Sequence, residues 1–229
     1  MSLESIILII VAGLNFGLAL MVWLINPKNK INICFGLSAL FFGFWSLFEG
    51  LFREASTRDL AFLFAKAENS SGALIVVFFL LFVFYFPYQQ KRFNYLHFSL
   101  IFISTLLMEV IIWFTNLQVE EVILLPHNND FVLGIIGRTY FVIFMSLYVL
   151  VAFYWLIKKY FQNAGVFRKN ILCILIGTGF VGVFCTYFGI LIPTFFGKNN
   201  LWFTPLFSIP MVIILTWFIL LGDKKIYIK

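Results

Sequence analysis

Five ionisable residues stand inside long apolar runs: Glu49, Lys66, Glu68, Glu109 and Arg138. A charge at the centre of a hydrocarbon layer costs about 2.5–3.5 kcal/mol, so such groups turn toward a bundle interior or toward water and tend to pair. Their positions along the runs put all five at one depth, roughly 5–12 Å below one boundary at about 1.5 Å per residue. Three acids and two bases from four helices thus share a layer, while the other half of the runs carries no charge. The chemistry this suits is ligand binding in a polar, water-reachable cavity with an apolar floor. Trp45, one turn inside Glu49, and Asn69, beside Glu68, are expected to line it. A conduction route would need polar groups reaching the other face, where only Asn15, Asn32, Thr178 and scattered hydroxyls stand.

Other chemistries lack their parts. Retinal attachment needs a lysine in the last run, and residues 201–221 contain none. A metal site needs clustered histidines and acids, yet His97 lies at the end of one run and His127 in a loop. Cys34, Cys173 and Cys185 all fall within apolar runs and form no disulfide or metal pattern. The pair Glu120-Glu121 lies in a loop without a basic neighbour, and no nucleophile, base and orienting group converge. No catalytic residue, metal or cofactor is expected, and the chain is not expected to be an enzyme.

These residues need a scaffold, and the composition names its solvent. The 229 residues are 62% hydrophobic and 11% charged, with a mean hydropathy of +1.02; soluble domains carry about 25% charged residues. Continuous apolar runs at about 3–25, 31–52, 60–86, 93–114, 131–157, 171–196 and 201–221 each match the roughly 20 helical residues that span a bilayer. The reading is an all-α membrane protein, a single seven-transmembrane helix bundle over residues 1–229. Strands have no case, because the runs neither alternate nor shorten to the 9–11 residues of a barrel strand. MSLESIILII lacks a basic leader, so the first helix is expected to persist.

Basic residues collect on the cytoplasmic side of membrane proteins. Lys28, Lys30, Lys91, Arg92, Lys158, Lys159, Arg168, Lys169, Lys224, Lys225 and Lys229 fall in one set of alternate loops, and only Arg53, Arg58 and Lys198 in the other. The N-terminus is therefore expected outside and the C-terminus inside, with the charged layer near the outer face. In the second run, Gly36, Ala39, Gly43, Ser46 and Gly50 form a small-residue seam for close helix packing within the bundle. Gly13 with Gly17 and Gly134 with Gly137 offer further contacts. Trp23, Tyr85, Tyr88, Tyr95, Trp113, Tyr160 and Trp202 near run ends fit the interfacial aromatic belt.

Short motifs carry a family likeness across nearly the whole chain. In INICFGLSALFFGFWSLFEG, Asn32, Trp45-Ser46 and Glu49 follow one another; the third run stops at Phe86-Pro87; the fourth ends in Phe114-Thr115-Asn116; and Pro193, Pro205 and Pro210 punctuate the last two. This pattern resembles the seven-helix N-terminal sensor region of bacterial membrane histidine kinases and related signalling proteins. The resemblance implies a receptor that passes a signal through its seventh helix to a cytoplasmic dimerisation and kinase module. No phosphoacceptor histidine or ATP-binding motif follows the last run, so the expectation is a stand-alone sensor or an excerpt of a longer protein.

The functional expectation is a multi-pass sensory domain of a bacterial cytoplasmic membrane. A small or amphipathic ligand enters among Glu49, Lys66, Glu68, Glu109, Arg138, Trp45 and Asn69, and helices six and seven shift at their prolines. Its expected partners are membrane lipids, the unidentified ligand, a cytoplasmic signalling module or kinase, and a second copy in a homodimer; nucleic acid is not among them. The alternatives are a small transporter or channel component and a structural assembly subunit whose charged layer docks a partner helix.

Overall fold

The computed structural model describes residues 1–87, 95–125, 129–187, 201–209 and 213. Six long helices organise them: α1 (Leu3–Ile25), α2 (Lys30–Glu54), α3 (Arg58–Tyr85), α4 (Tyr95–Phe114), α5 (Val142–Gln162, entered through one π turn at Gly137–Phe141) and α6 (Gly165–Thr186). Among the described residues these six are long and apolar enough to cross a membrane. Their starts are written locally. Ser2, Asn29 and Thr57 accept from the backbone N–H of Ser5, Ile31 and Leu60, filling donors that a helix leaves open at its first turn.

The helices gather around α3, which packs against α2, α4 and α5, while α1 lies on α2 and α6 on α5. The core that results runs from Phe35 and Phe82 through Met108 and Ile112 to Leu156 and Ile171. The small-residue seam of α2 is the face that meets α1, within one chain. Ser46 Oγ donates to the Leu8 carbonyl at 2.8 Å, and a Cβ on Gly36 or Gly50 would sit 3.3 Å from Ala19 O or 3.4 Å from Leu8 Cβ. Among the described residues, Gly13 and Gly17 have nothing within 4 Å of a built Cβ and make no such contact.

The structure corrects the sequence reading in five places. The stretch after α4 is not an open loop: β1 (Val119–Ile123) and β2 (Asp130–Leu133) pair antiparallel, with Val122 opposite Phe131 and a bulge between Val119 and Glu121. Val119, Val122 and Phe131 pack on Phe52, Ala61 and Ala65, which gives this ribbon an apolar underside and a reason to form. The fifth helix consequently begins after Leu133 rather than at 131, and it continues through Lys158 and Lys159 to Gln162. α6 starts at Gly165, so Arg168 and Lys169 are helical, and Arg53 lies in the last turn of α2 rather than in a loop. The seventh run opens with a 3₁₀ segment, Leu201–Phe207, containing Pro205 and packed against α1, α2 and α6. Pro193, Pro210 and most of the expected seventh helix lie outside the described residues.

Two glycines separate rigid from yielding contacts. A Cβ at Gly134 would come 2.3 Å from the backbone oxygen of Leu117, whereas at Gly43 it would meet the Phe16 ring at 2.4 Å. Backbone cannot retreat and a phenyl ring can swing. Gly134→Ala is therefore expected to lose about 1–3 kcal/mol, and Gly43→Ala clearly less, helped by the better helix propensity of alanine. Thermal midpoints of both variants in one detergent compare the two directly.

Candidate functional site

The expected charged layer exists at the ribbon end of the bundle, but α3 divides it. Successive helical residues turn by about 100°, so Glu68 and Ser70 face nearly opposite ways, one toward α2 and the other toward α4.

On the α2 side the unit of construction is one helical turn. Glu49 and Arg53 are four residues apart and share a face, and Arg53 Nε donates to Glu49 Oε1 at 2.7 Å. The same guanidinium reaches Glu4 of α1 through Nη1 at 2.8 Å. Glu49 and Arg53 are 2% and 4% exposed, so this is an interior ion triad joining the first two helices. Glu54, next in sequence, accepts from the Ser2 backbone N–H at 2.6 Å and from Ser5 Oγ at 2.9 Å, with the N-terminal ammonium 3.6 Å away. From α3, Glu68 comes in at 3% exposure. Its Oε1 accepts the Trp45 indole N–H at 3.1 Å, and its carboxyl lies against that of Glu49. Oε2 of Glu49 and Oε2 of Glu68 are both buried without a hydrogen-bond partner.

On the other side of α3 the groups are held differently. Ser70 Oγ donates to Glu109 Oε2 at 2.6 Å, the Trp113 indole lies on the same carboxyl, and Glu109 Oε1 is left without a partner. Asn69 donates to the Ala65 carbonyl at 2.8 Å and accepts from Gln118 Nε2 at 3.0 Å, which ties α3 to the ribbon. Lys66 Nζ reaches the Trp113 carbonyl at 3.4 Å and Asn116 Oδ1 at 3.3 Å. Arg138, at the start of the fifth helix, is exposed and donates from Nε to the Leu133 carbonyl at 2.7 Å.

The structure therefore gathers Trp45, Glu49 and Glu68 into one buried cluster, holds Lys66, Asn69 and Glu109 each on separate partners, and leaves Arg138 apart from all of them. Neither expected base pairs with an expected acid; the base that does is Arg53. The sequence carried that signal in the four-residue spacing of Glu49 and Arg53, and Glu4 could not be found that way because its partner is on another helix. The far end of the bundle also holds a charge, contrary to expectation: Lys159 is 4% exposed. It donates to the carbonyls of Val83, Phe84 and Phe86. Among the described residues no group of histidines, cysteines and acids could hold a metal ion.

Comparison with known proteins gives one family: a model described as the N-terminal 7TM region of histidine kinase matches residues 7–222. No curated protein matches the chain.

Proposed function

The chain belongs to the family of N-terminal 7TM regions of histidine kinases and is a multi-pass membrane sensory domain; on this premise we propose that it binds a small or amphipathic ligand in the charged layer and relays the event to a cytoplasmic kinase module. The observation that carries the reading is the buried cluster of Arg53, Glu49 and Glu68, with the half-exposed Glu4 at its edge, where three helices meet through charge as well as apolar contact. Such groups are expensive inside a bilayer protein and mark functional positions by default.

In this reading the domain itself is not catalytic. The ribbon end faces the outside of a bacterial cytoplasmic membrane and the Lys159 end faces the cytoplasm, in line with eleven basic residues at or beyond one end of the apolar runs against three at the other. Output passes through helices six and seven. A path toward the seventh run is supported by α1, whose buried Asn15 Nδ2 donates to Ser208 Oγ at 3.0 Å, just past the 3₁₀ segment that packs on α1, α2 and α6. A ligand that changes how α1 and α2 share Arg53 thereby changes what the seventh run rests on.

The test is purification from native membranes in mild detergent, followed by mass spectrometry of the protein with whatever it retains. The expected result is a small molecule in stoichiometric amount that is lost from Glu68→Gln or from Glu109→Gln. A stoichiometric protein partner with no small molecule would overturn the reading and make the charged layer a docking surface.

A further inference from the structure

The buried acids of α2 and α3 pose a charge problem that the fold resolves at one contact. Among the described residues Arg53 is the single base of the cluster, and it is committed to Glu49 Oε1 at 2.7 Å and to Glu4 at 2.8 Å. Glu68 pairs with no base; its Oε1 accepts from the neutral Trp45 indole at 3.1 Å. Each acid keeps one further oxygen, Glu49 Oε2 and Glu68 Oε2, closed off from water and met by no N–H or hydroxyl among the described residues. The two carboxyls lie within hydrogen-bond reach of each other. Ionised carboxylates offer only acceptors, so this contact is a hydrogen bond only when one of the pair carries a proton. Like charges so close in an apolar surround cannot both ionise. With Glu49 tied to Arg53, the proton falls to Glu68, and the interior balances: one guanidinium, one carboxylate and one carboxylic acid.

The neighbouring elements hold nothing that takes the place of this proton. On α1, Glu4 is engaged with Arg53 at the edge of the cluster. Glu54 at the end of α2 is turned to Ser2, Ser5 and the N-terminal ammonium. Lys66 of α3 reaches the Trp113 carbonyl and Asn116 instead. The ribbon meets α3 through the neutral pair Gln118 and Asn69, and the 3₁₀ segment Leu201–Phe207 packed on α2 contains no titratable side chain.

We propose that the Glu49–Glu68 pair is a one-proton latch between α2 and α3, and that the stimulus it reads is the pH of the medium at the ribbon end of the bundle. Closed, the shared proton joins the two helices by a carboxylic acid to carboxylate hydrogen bond, one of the strong kinds. Opening breaks the O–H bond of Glu68: the proton passes to water and the electron pair stays on the carboxylate. Two buried carboxylates then face one guanidinium, and their repulsion parts α3 from α2. Arg53, drawn toward the new charge, loosens its hold on Glu4 and with it the link to α1. A rise in pH opens the latch and a fall closes it. This deepens the sensory reading by naming the proton as a ligand, and it rests on that reading for the meaning of the movement.

The experiment takes the purified full chain in nanodiscs through a pH series with two readouts. One is the infrared C=O stretch of protonated carboxylic acids, identified by its shift in heavy water; the other is amide hydrogen exchange along α2 and α3. The expected result is a C=O band that disappears as pH rises, present in Glu109→Gln and missing from Glu68→Gln. Over the same range, exchange around Glu49, taken relative to Glu68→Gln at equal pH, is expected to speed by about tenfold per pH unit, the linkage of one proton to opening. The glutamine keeps a donor for Glu49 and has no proton to lose, so in that variant the latch stays shut. No titrating band in the unmodified chain, or the same band in Glu68→Gln, overturns the shared proton. Glu109→Gln leaves the cluster untouched and decides the matter without the other variant: a band missing from it belongs to the α4 side and overturns the proposal. A titrating band with exchange around Glu49 unchanged overturns the latch. A retained small molecule with no titrating band removes this inference and leaves the sensory reading standing. A titrating band beside a stoichiometric protein partner supports the latch and removes the sensory reading.

Discussion

Arg53→Leu is expected to lower the stability of the bundle by about 3–5 kcal/mol, the loss typical of removing one partner from a buried ion pair. The guanidinium is 4% exposed and meets Glu49 on its own helix and Glu4 on the next. Its removal strands the Glu49 carboxylate in an apolar surround and cuts the charged link between α1 and α2. Unfolding in sodium dodecyl sulfate, followed by helical circular dichroism, measures it. Three companions separate charge from packing. Glu4→Gln is expected to stay within about 1 kcal/mol, because Glu4 is 37% exposed on its side chain and partly solvated. Arg53→Lys should recover only part of the loss, since one ammonium cannot present the guanidinium fork to two carboxylates. The double variant Arg53→Leu, Glu49→Leu should recover most of it, because replacing both charges leaves nothing stranded. A loss below 1 kcal/mol in the single variant would mean that Glu49 finds water and that the triad is not interior.

The helices were legible because their cause is local. Apolar length defines a span, Ser2, Asn29 and Thr57 mark starts, and Pro87 ends α3 by having no N–H to give. The small seam from Gly36 to Gly50 was legible for the same reason: its spacing puts every member on one face, and the structure shows α1 on that face. What sequence spacing does not contain is which face meets which helix. Five charges at one depth looked like one cavity, yet Glu68 and Ser70 point opposite ways from α3, so Glu49 and Glu109 never share a site. The ribbon was missed because Val119, Val122 and Phe131 acquire their reason to pair from Phe52, Ala61 and Ala65, residues far away in the chain. A charge near a run's end suggests a boundary and so places Arg53 in a loop, although a base in the last helical turn also suits the carbonyl end of the helix dipole.

The same logic places Lys159 in a loop, whereas the structure buries it, and it gives the second large effect. A helix leaves its last four carbonyls without partners, and α3 is worse placed than most. The N–H that would close the turn onto Val83 belongs to position 87, which is proline. The last backbone bond of the helix is Phe86 N–H to the Phe82 carbonyl at 2.9 Å. Beyond it, the carbonyls of Val83, Phe84 and Phe86 turn to the Lys159 ammonium on α5, with the Phe84 bond at 2.8 Å. Three N–H donors meet three oxygens at the negative end of the helix dipole, which explains how an ammonium 4% exposed is held in place. Lys159→Met keeps the apolar stem and removes the donors, so it should lose about 2–4 kcal/mol, one charged hydrogen bond plus the stranding of buried carbonyls. Lys158→Met is the control. Its ammonium lies 5.1 Å over the Trp155 ring, an exposed contact worth about 0.5–1 kcal/mol. Equal losses in the two variants would show that both lysines act only at the membrane surface. A loss confined to Lys159, accompanied by faster amide exchange at the end of α3, would establish that the helix at the centre of the bundle is anchored from α5.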